Sequence, residues 1–264
     1  MKHQMKVIPG ILASWLILNA MLPTGLAVGD EAPSRYAQPK LRAATLYQVN
    51  SNQKKVLYKF KRTVTQSGPV AKVVREFSYP DGKLAAREHI VYEGDNLVSY
   101  ELEELQINAR GDASLSRDPR NPGKGQINFS HVADIGFSKT NSNTEALRPD
   151  TLIGDMTTVF VVSHWDELMK GKSVKCRLIA VPRAETFGFT FEKQAESTWR
   201  GKGVVIIKLS PSSFIINALV NPLYFIMEKD GEHRLLECDG LTTPKIEVKG
   251  KWKDLEAETV FDWD

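Results

Sequence analysis

Cysteine is scarce in this sequence, and the short motifs that mark many enzyme classes are missing. The chain has two cysteines, no CxxC pair, no HExxH pair, no glycine-rich phosphate loop and no calcium loop. These absences argue against thiol–disulfide exchange, cysteine-based zinc sites, zinc peptidases and nucleotide-dependent enzymes. We therefore predict no cofactor and no metal site, and no local motif names a reaction.

A large excess of charge of either sign is also missing. The formal net charge is +3, and it falls to +1 without residues 1–29, which contain two lysines and no acidic residue. A chain so nearly balanced has no general attraction to nucleic acid or to an anionic membrane. We therefore expect no nucleic-acid partner.

The apolar stretch near the amino terminus is too short to span a membrane. It covers Val7–Leu22 and is interrupted by Pro9, whereas a spanning helix needs about 20 continuous apolar residues. A basic start precedes it, and the small residues Ala27 and Gly29 follow at the spacing of a cleavage site. We predict a signal peptide at residues 1–29 and an exported protein, periplasmic or extracellular, that is not integral to the membrane.

The mature chain divides into a short lead and one domain. Residues 30–43 contain prolines and predict a flexible lead. Residues 44–264 are numerous enough for one large core, and we expect a single β-rich domain there.

Alternating strands dominate the first part of this domain. In "KKVLYKFKRTVTQ", Val56, Tyr58, Phe60 and Val64 point one way, and Arg62 is an exception on the same face. Three further strands follow after short turns, which predicts an antiparallel meander. The polar residues 108–126, which contain three glycines, and the polar residues 138–150 instead predict long loops.

Two helices are predicted among the strands. Residues 150–172 carry Leu152, Met156, Phe160 and Leu168 at helical spacing, and Gly171 suits the end of that helix. Residues 211–221 predict a second, shorter helix. The predicted fold class is mainly β: a strongly curved antiparallel sheet, or half-barrel, with two short helices packed on its concave face.

The segment "SFIINALVNPLYFIM" (213–227) is unusually apolar, with eleven apolar residues in fifteen. Burying them offers roughly 20 kcal/mol gross, so the fold must cover them. Phe187, Phe189 and Phe191 form a matching aromatic ridge at the spacing of a strand. Together these segments line an apolar cavity or pack as a dry core. The predicted ligand-cavity residues are Phe187, Phe189, Phe191, Phe214, Ile215, Leu219 and Phe225.

Cys176 and Cys238 are a candidate disulfide, because an isolated pair in an exported protein is often bonded. The alternative is two separate buried thiols that act as small apolar side chains.

The order of elements from Ala44 to Asp264 resembles the periplasmic lipoprotein-carrier superfamily, the LolA-like half-barrels. The stretches "DMTTVFVVSHWDELMKGKSVKCRLIAVP" and "LSPSSFIINALVNPLYFIMEKDGEHRLLECDG" are also similar to uncharacterised exported domains of that fold. In the superfamily, helices half close a curved sheet around an apolar cavity for lipid or acyl chains. The resemblance implies a non-catalytic carrier or binder of lipid or lipoprotein acyl chains.

Two other functions are consistent with the sequence. One is an interaction or assembly protein of the cell envelope with a dry core. The other is a hydrolase with dispersed catalytic residues; His164 and Glu167, three apart on the predicted helix, are the nearest approach to an acid–base pair. An apolar cavity favours the carrier, a filled core favours the envelope protein, and a pocket of converging His, Asp, Glu or Ser favours the hydrolase.

Overall fold

The structure, a computed structural model, describes residues 34–36, 42–118, 120–134, 136, 140–213 and 220–263. All of them belong to one compact unit, Glu31–Asp264. The predicted signal peptide lies outside the described residues. So do Phe214, Ile215 and Leu219 of the predicted cavity, and with them the centre of the predicted second helix.

The described residues contain fifteen strands, which form a single sheet. They are β1 Ala43–Gln48, β2 Val56–Ser67, β3 Val70–Ser78, β4 Leu84–Glu93, β5 Asn96–Glu104, β6 Ala109–Asp118, β7 Asn121–Val132, β8 Thr140–Ala146, β9 Thr151–Leu152, β10 Val174–Ala180, β11 Glu185–Trp199, β12 Lys202–Pro211, β13 Leu223–Glu228, β14 Leu235–Val248 and β15 Lys251–Asp262.

The strand order is almost cyclic. From one edge to the other it runs β8 to β1 and then β15 to β9, so that the first strand pairs with the last. The pairs are antiparallel except for β9 with β10. Residues 147–150 connect the two edge strands and can span about 18 Å, whereas a flat sheet of this many strands would be about 67 Å wide. The sheet must therefore curl until its edges approach, which confirms the predicted mainly β, strongly curved antiparallel fold.

Side chains bridge the seam between the two edges. Glu145 on β8 accepts a hydrogen bond of 2.6 Å from the hydroxyl of Thr186 on β11, and Asn143 on β8 donates one of 2.9 Å to the carbonyl of Ala184. Near the seam, a 3₁₀ turn at Val181–Arg183 packs on β6 so closely that a Cβ at Gly111 would lie 2.5 Å from Val181 Cγ1. At the seam, these side-chain contacts take the place of the backbone hydrogen bonds that join neighbouring strands elsewhere in the sheet.

The prediction of long loops at residues 108–126 and 138–150 is wrong. Most of these residues instead belong to β6, to the first half of β7 and to β8. Their small and polar side chains suggested loops, but Ala109 and Ala113 are buried on the inner face of β6. The pairing of β6 with β5 and β7 decides the conformation of these residues, because local strand propensity is easily overridden by neighbouring strands.

The first predicted helix is present in shorter pieces. A 3₁₀ turn at Gly154–Met156 leads into α1 (Thr157–Ser163), and α2 (Trp165–Met169) follows after a break at His164. The β-branched residues in α1 weaken its helical preference. Gly171 has a φ of +76° and lies just beyond the helices, as its position in the sequence predicted.

The helical segment is packed into the interior of the curled sheet. Met156, Phe160, Val161 and Leu168 belong to the largest buried apolar cluster, which also contains inward-facing residues from β3, β7 and β12. Tyr36, from the predicted flexible lead, joins the same cluster and stacks on Tyr92 at a ring distance of 5.3 Å.

Candidate functional site

A cavity of about 610 Å³ lies inside the curled sheet. Small-molecule sites in proteins commonly measure about 300–1,000 Å³, so this cavity is large enough for a ligand. Side chains from both halves of the sheet line it, together with residues from the 3₁₀ turn 154–156 and α1.

One wall of the cavity is apolar. Among the described residues, strands β10 to β13 contribute only apolar side chains to the lining: Leu178, Ile179, Ala180, Phe189, Leu209, Leu223 and Phe225. In the nearly cyclic order of fifteen strands, these four strands lie on average seven positions from the group β2 to β5, which is about half of the circuit. The two groups of strands therefore face each other across the barrel.

The opposite wall carries charge. Strands β2, β3, β4 and β5 each place one charged side chain in the lining, beside aromatic and apolar ones. These charged residues are Arg62, Arg75, Glu88 and Glu104. The cavity is thus two-sided, with an apolar wall facing a mixed wall.

Arg62 and Asp155 form a buried, bidentate ion pair at this mixed wall. Arg62 Nε and Nη2 each lie 2.8 Å from a carboxylate oxygen of Asp155, and both side chains are less than 5% exposed. Tyr92 donates a further hydrogen bond of 3.0 Å to the carboxylate. Burial alone raises the pKa of Asp155, but the Arg62 hydrogen bonds and charge and the nearby Arg75 together hold this pKa below its usual value. The pair fixes the 3₁₀ turn 154–156 against β2.

Arg75 links this pair to Glu88. Its Nη1 lies 2.5 Å from Glu88 Oε2, and its Nε lies 3.7 Å from Asp155 Oδ1. The guanidinium carbon lies 5.2 Å from the ring centre of Phe60 and 5.7 Å from that of Phe77. Arg75 therefore stands between the charged cluster and aromatic side chains.

Lys245 and Glu104 form a second charged group of the lining. Lys245 Nζ lies 3.1 Å from Glu104 Oε1 and 2.6 Å from Asp254 Oδ1. His131 also lines the cavity, and its buried Nε2 has no hydrogen-bond partner among the described residues. Burial lowers the pKa of His131, which favours the neutral imidazole.

The structure places some of the predicted cavity residues in the lining and others in the core. Phe189 and Phe225 line the cavity. Phe191 is fully buried and packs 5.7 Å from both Phe160 and Phe225, ring centre to ring centre, so it belongs to the close-packed core instead. Phe187 is partly buried against the same core and is not part of the lining.

The charged wall was missed from the sequence, although one signal for it was present. Arg62 interrupts the apolar face of β2, and an inward-facing charge needs a buried partner. That partner, Asp155, lies 93 positions away, beyond the reach of any local pattern.

The two cysteines are free thiols, so the candidate disulfide is not present in the structure. Cys176 lies on β10 and Cys238 on β14, four strands apart and about 19 Å along the sheet. A disulfide requires Cα atoms within about 7 Å. Burial raises the pKa of each thiol to about 12, which leaves both protonated and poorly nucleophilic.

The described residues give little support for a metal site or for an acid–base pair. Within the described ranges, no group of three or more His, Cys, Asp or Glu side chains could hold a metal ion. His164, which the sequence paired with Glu167, has its Nδ1 2.9 Å from the carbonyl of Phe160 and 3.1 Å from the hydroxyl of Ser163.

No helix in the described part of the chain is long and apolar enough to cross a bilayer.

No protein-family model and no curated protein matches the sequence. Among solved structures, the chain is similar to a β-barrel-like protein of the domain of unknown function DUF1849 from Brucella abortus. The match has 8% identity and a TM-score of 0.37, and it covers 84% of this chain and 94% of that one. A likeness at this level supports no conclusion about shared function. The fold and the cavity themselves define a barrel-like β domain with a two-sided interior.

Proposed function

We propose that this protein is an exported, non-catalytic carrier or binder of lipid, or of acyl chains attached to another molecule such as a lipoprotein. The observation that carries the proposal is the two-sided cavity of about 610 Å³. An apolar chain buried on the wall formed by β10 to β13 gains about 25 cal/mol per Å² removed from water. A polar end group then has charged side chains within reach on the opposite wall.

The cavity supports a carrier over an envelope protein with a dry core, because a filled interior leaves no space for a ligand. The state of the polar groups supports binding over hydrolysis. Asp155, Glu88 and Glu104 are each paired with an arginine or lysine, and the Cys238 thiol has a pKa of about 12. None of these groups is arranged as a nucleophile with an adjacent base.

Ligand binding is tested on the native protein and on two tryptophan variants. Mass spectrometry of an organic extract should detect a lipid, and Nile red should bind and be displaced by methyl laurate. Phe189→Trp places extra atoms in the cavity and should weaken Nile red binding, whereas Val248→Trp adds the same side chain at an exposed site outside the lining. A lipid-free extract together with no Nile red binding by the wild type would favour the envelope-interaction function.

Export is tested separately. The proposal requires removal of residues 1–29, so intact-mass analysis of protein from the native host should give an amino terminus close to Asp30. Retention of residues 1–29 in a membrane fraction would contradict it.

A further inference from the structure

Arg75 offers unused hydrogen-bond donors to the cavity. Its side chain is 18% exposed and forms part of the lining. Glu88 occupies Nη1, and no hydrogen bond among the described residues uses Nη2. A guanidinium carries five N–H donors and no acceptor, so an occupant beside Arg75 can supply an acceptor atom.

The neighbouring carboxylates already have donors. Asp155 Oδ1 accepts from Arg62, and Asp155 Oδ2 accepts from Arg62 and Tyr92. Glu88 Oε2 accepts from Arg75, and Glu88 Oε1 accepts a hydrogen bond of 2.5 Å from Thr243. The unused capacity on this wall is therefore that of a donor, and the complementary ligand atom is an acceptor.

The charges of the lining are balanced. Its buried and partly buried charges are three cations, Arg62, Arg75 and Lys245, and three anions, Glu88, Glu104 and Asp155, whereas Arg183 and Asp254, which also belong to the lining, are exposed. An ionised carboxylate or phosphate bound beside Arg75 would add a negative charge that no buried lining residue compensates, which is costly away from water. A neutral carbonyl oxygen accepts the same hydrogen bond and adds no charge.

We infer that the cavity selects an acyl chain whose polar end is a neutral carbonyl, as in an ester or an amide, and that Arg75 Nη2 donates to this oxygen. The free, ionised fatty acid is the disfavoured form. This inference rests on the proposed function, since it places an acyl chain in the cavity.

The test uses displacement of Nile red, an uncharged probe, from the wild-type protein by four twelve-carbon compounds. These are methyl laurate, lauramide, ionised laurate at pH 8 and dodecane. The ester and the amide should displace the probe at concentrations about 10- to 100-fold lower than dodecane, which corresponds to one hydrogen bond from a charged donor. Laurate at pH 8 should be weaker than the ester. Laurate binding as tightly as the ester, or dodecane binding as tightly as the ester, would overturn the inference.

A double variant assigns the effect to Arg75. Arg75→Met/Glu88→Met removes the donor and its counterion together, so no buried charge is left unpaired. It should lose the preference for the ester over dodecane. The matched control, Arg110→Met/Glu101→Met, removes an ion pair on the same sheet that is outside the lining and should keep the preference. Retention of the preference by the Arg75 variant would contradict the assignment.

The outcomes separate the two proposals. If none of the four compounds displaces Nile red, acyl binding itself is refuted. If all four displace it equally, acyl binding stands and only the carbonyl preference is refuted. The wild-type series requires no substitution, so the inference remains testable even if a variant does not fold.

Discussion

Gln106 binds the main chain of Lys245 with both ends of its side-chain amide, although the two residues are 139 positions apart. Gln106 Nε2 donates to the Lys245 carbonyl at 2.9 Å, and the Lys245 amide donates to Gln106 Oε1 at 2.7 Å. Tyr58 donates a further hydrogen bond of 2.6 Å to the same carbonyl. The side chain acts like a short piece of neighbouring strand and ties β14 to the turn after β5.

Removal of this amide should destabilise the fold. Gln106→Ala leaves the partly buried Lys245 amide without its acceptor, and we expect the free energy of unfolding to fall by about 1–3 kcal/mol. Urea denaturation measures the change. Gln66→Ala is the control, because that amide makes an exposed hydrogen bond to Gly68. Equal losses in the two variants would show that the Gln106 contact adds no particular stability.

The Arg62–Asp155 pair should make stability sensitive to acid. Asp155→Asn leaves a buried arginine without its counterion, which we expect to cost about 3–5 kcal/mol at pH 7. Asp95→Asn, which breaks the exposed pair with Arg35, should cost at most about 1 kcal/mol. These values come from urea denaturation of each variant.

The pH dependence of the same pair follows from the direction of the pKa shift. The pKa of Asp155 is lower in the folded protein than the ordinary value of about 4, so its contribution is complete above about pH 4. That contribution is lost as the pH falls through the folded-state pKa. The difference in stability between wild type and Asp155→Asn should therefore shrink below pH 4. A constant difference down to pH 2 would contradict this linkage.

Asp239 should give the opposite pH dependence. Burial and the neighbouring Glu237 raise the pKa of Asp239 to about 7, and its Oδ1 has no hydrogen-bond partner among the described residues. The folded state then binds a proton more tightly than the unfolded state, so stability should fall as the pH rises from about 4 to about 7. Asp239→Asn should flatten this slope and be more stable than wild type at pH 8. Thermal unfolding at several pH values tests this, with the exposed Asp112→Asn as control.

Two phenylalanines on one face of β11 should respond differently to enlargement. Phe191→Trp overpacks a fully buried site and should lower stability by about 1–3 kcal/mol. Phe189→Trp directs its extra atoms into the cavity and should cost less. The two variants are compared by thermal unfolding without ligand. An equal loss would mean that the interior beside Phe189 is packed and not open.

Both cysteines should be chemically free and slow to react. Alkylation of the unfolded protein without reductant should add two labels, and prior reduction should not change that number. In the folded protein the same reagent should react slowly, because burial raises the pKa of both thiols to about 12. A peptide containing Cys176 bonded to Cys238 would contradict this prediction.

The candidate site was only partly accessible from the sequence. The aromatic ridge on β11 pointed to the interior, and Phe189 does line the cavity. The same alternation does not show that Phe191 differs from Phe189. Phe160 on α1 packs against Phe191 and covers it. Whether an inward side chain meets open space or another side chain depends on elements far away in the chain.

By itself, the sequence determined the strand character of most of the chain and the meander that joins the early strands. These features follow from alternating polarity and from turn residues, which act over a few positions. Only the tertiary structure decided that the small residues around Gly111 form a strand, that Arg62 meets Asp155, and that a two-sided cavity remains between the walls. These depend on strand pairing and charge pairing between distant segments, and local sequence patterns do not encode the distances involved.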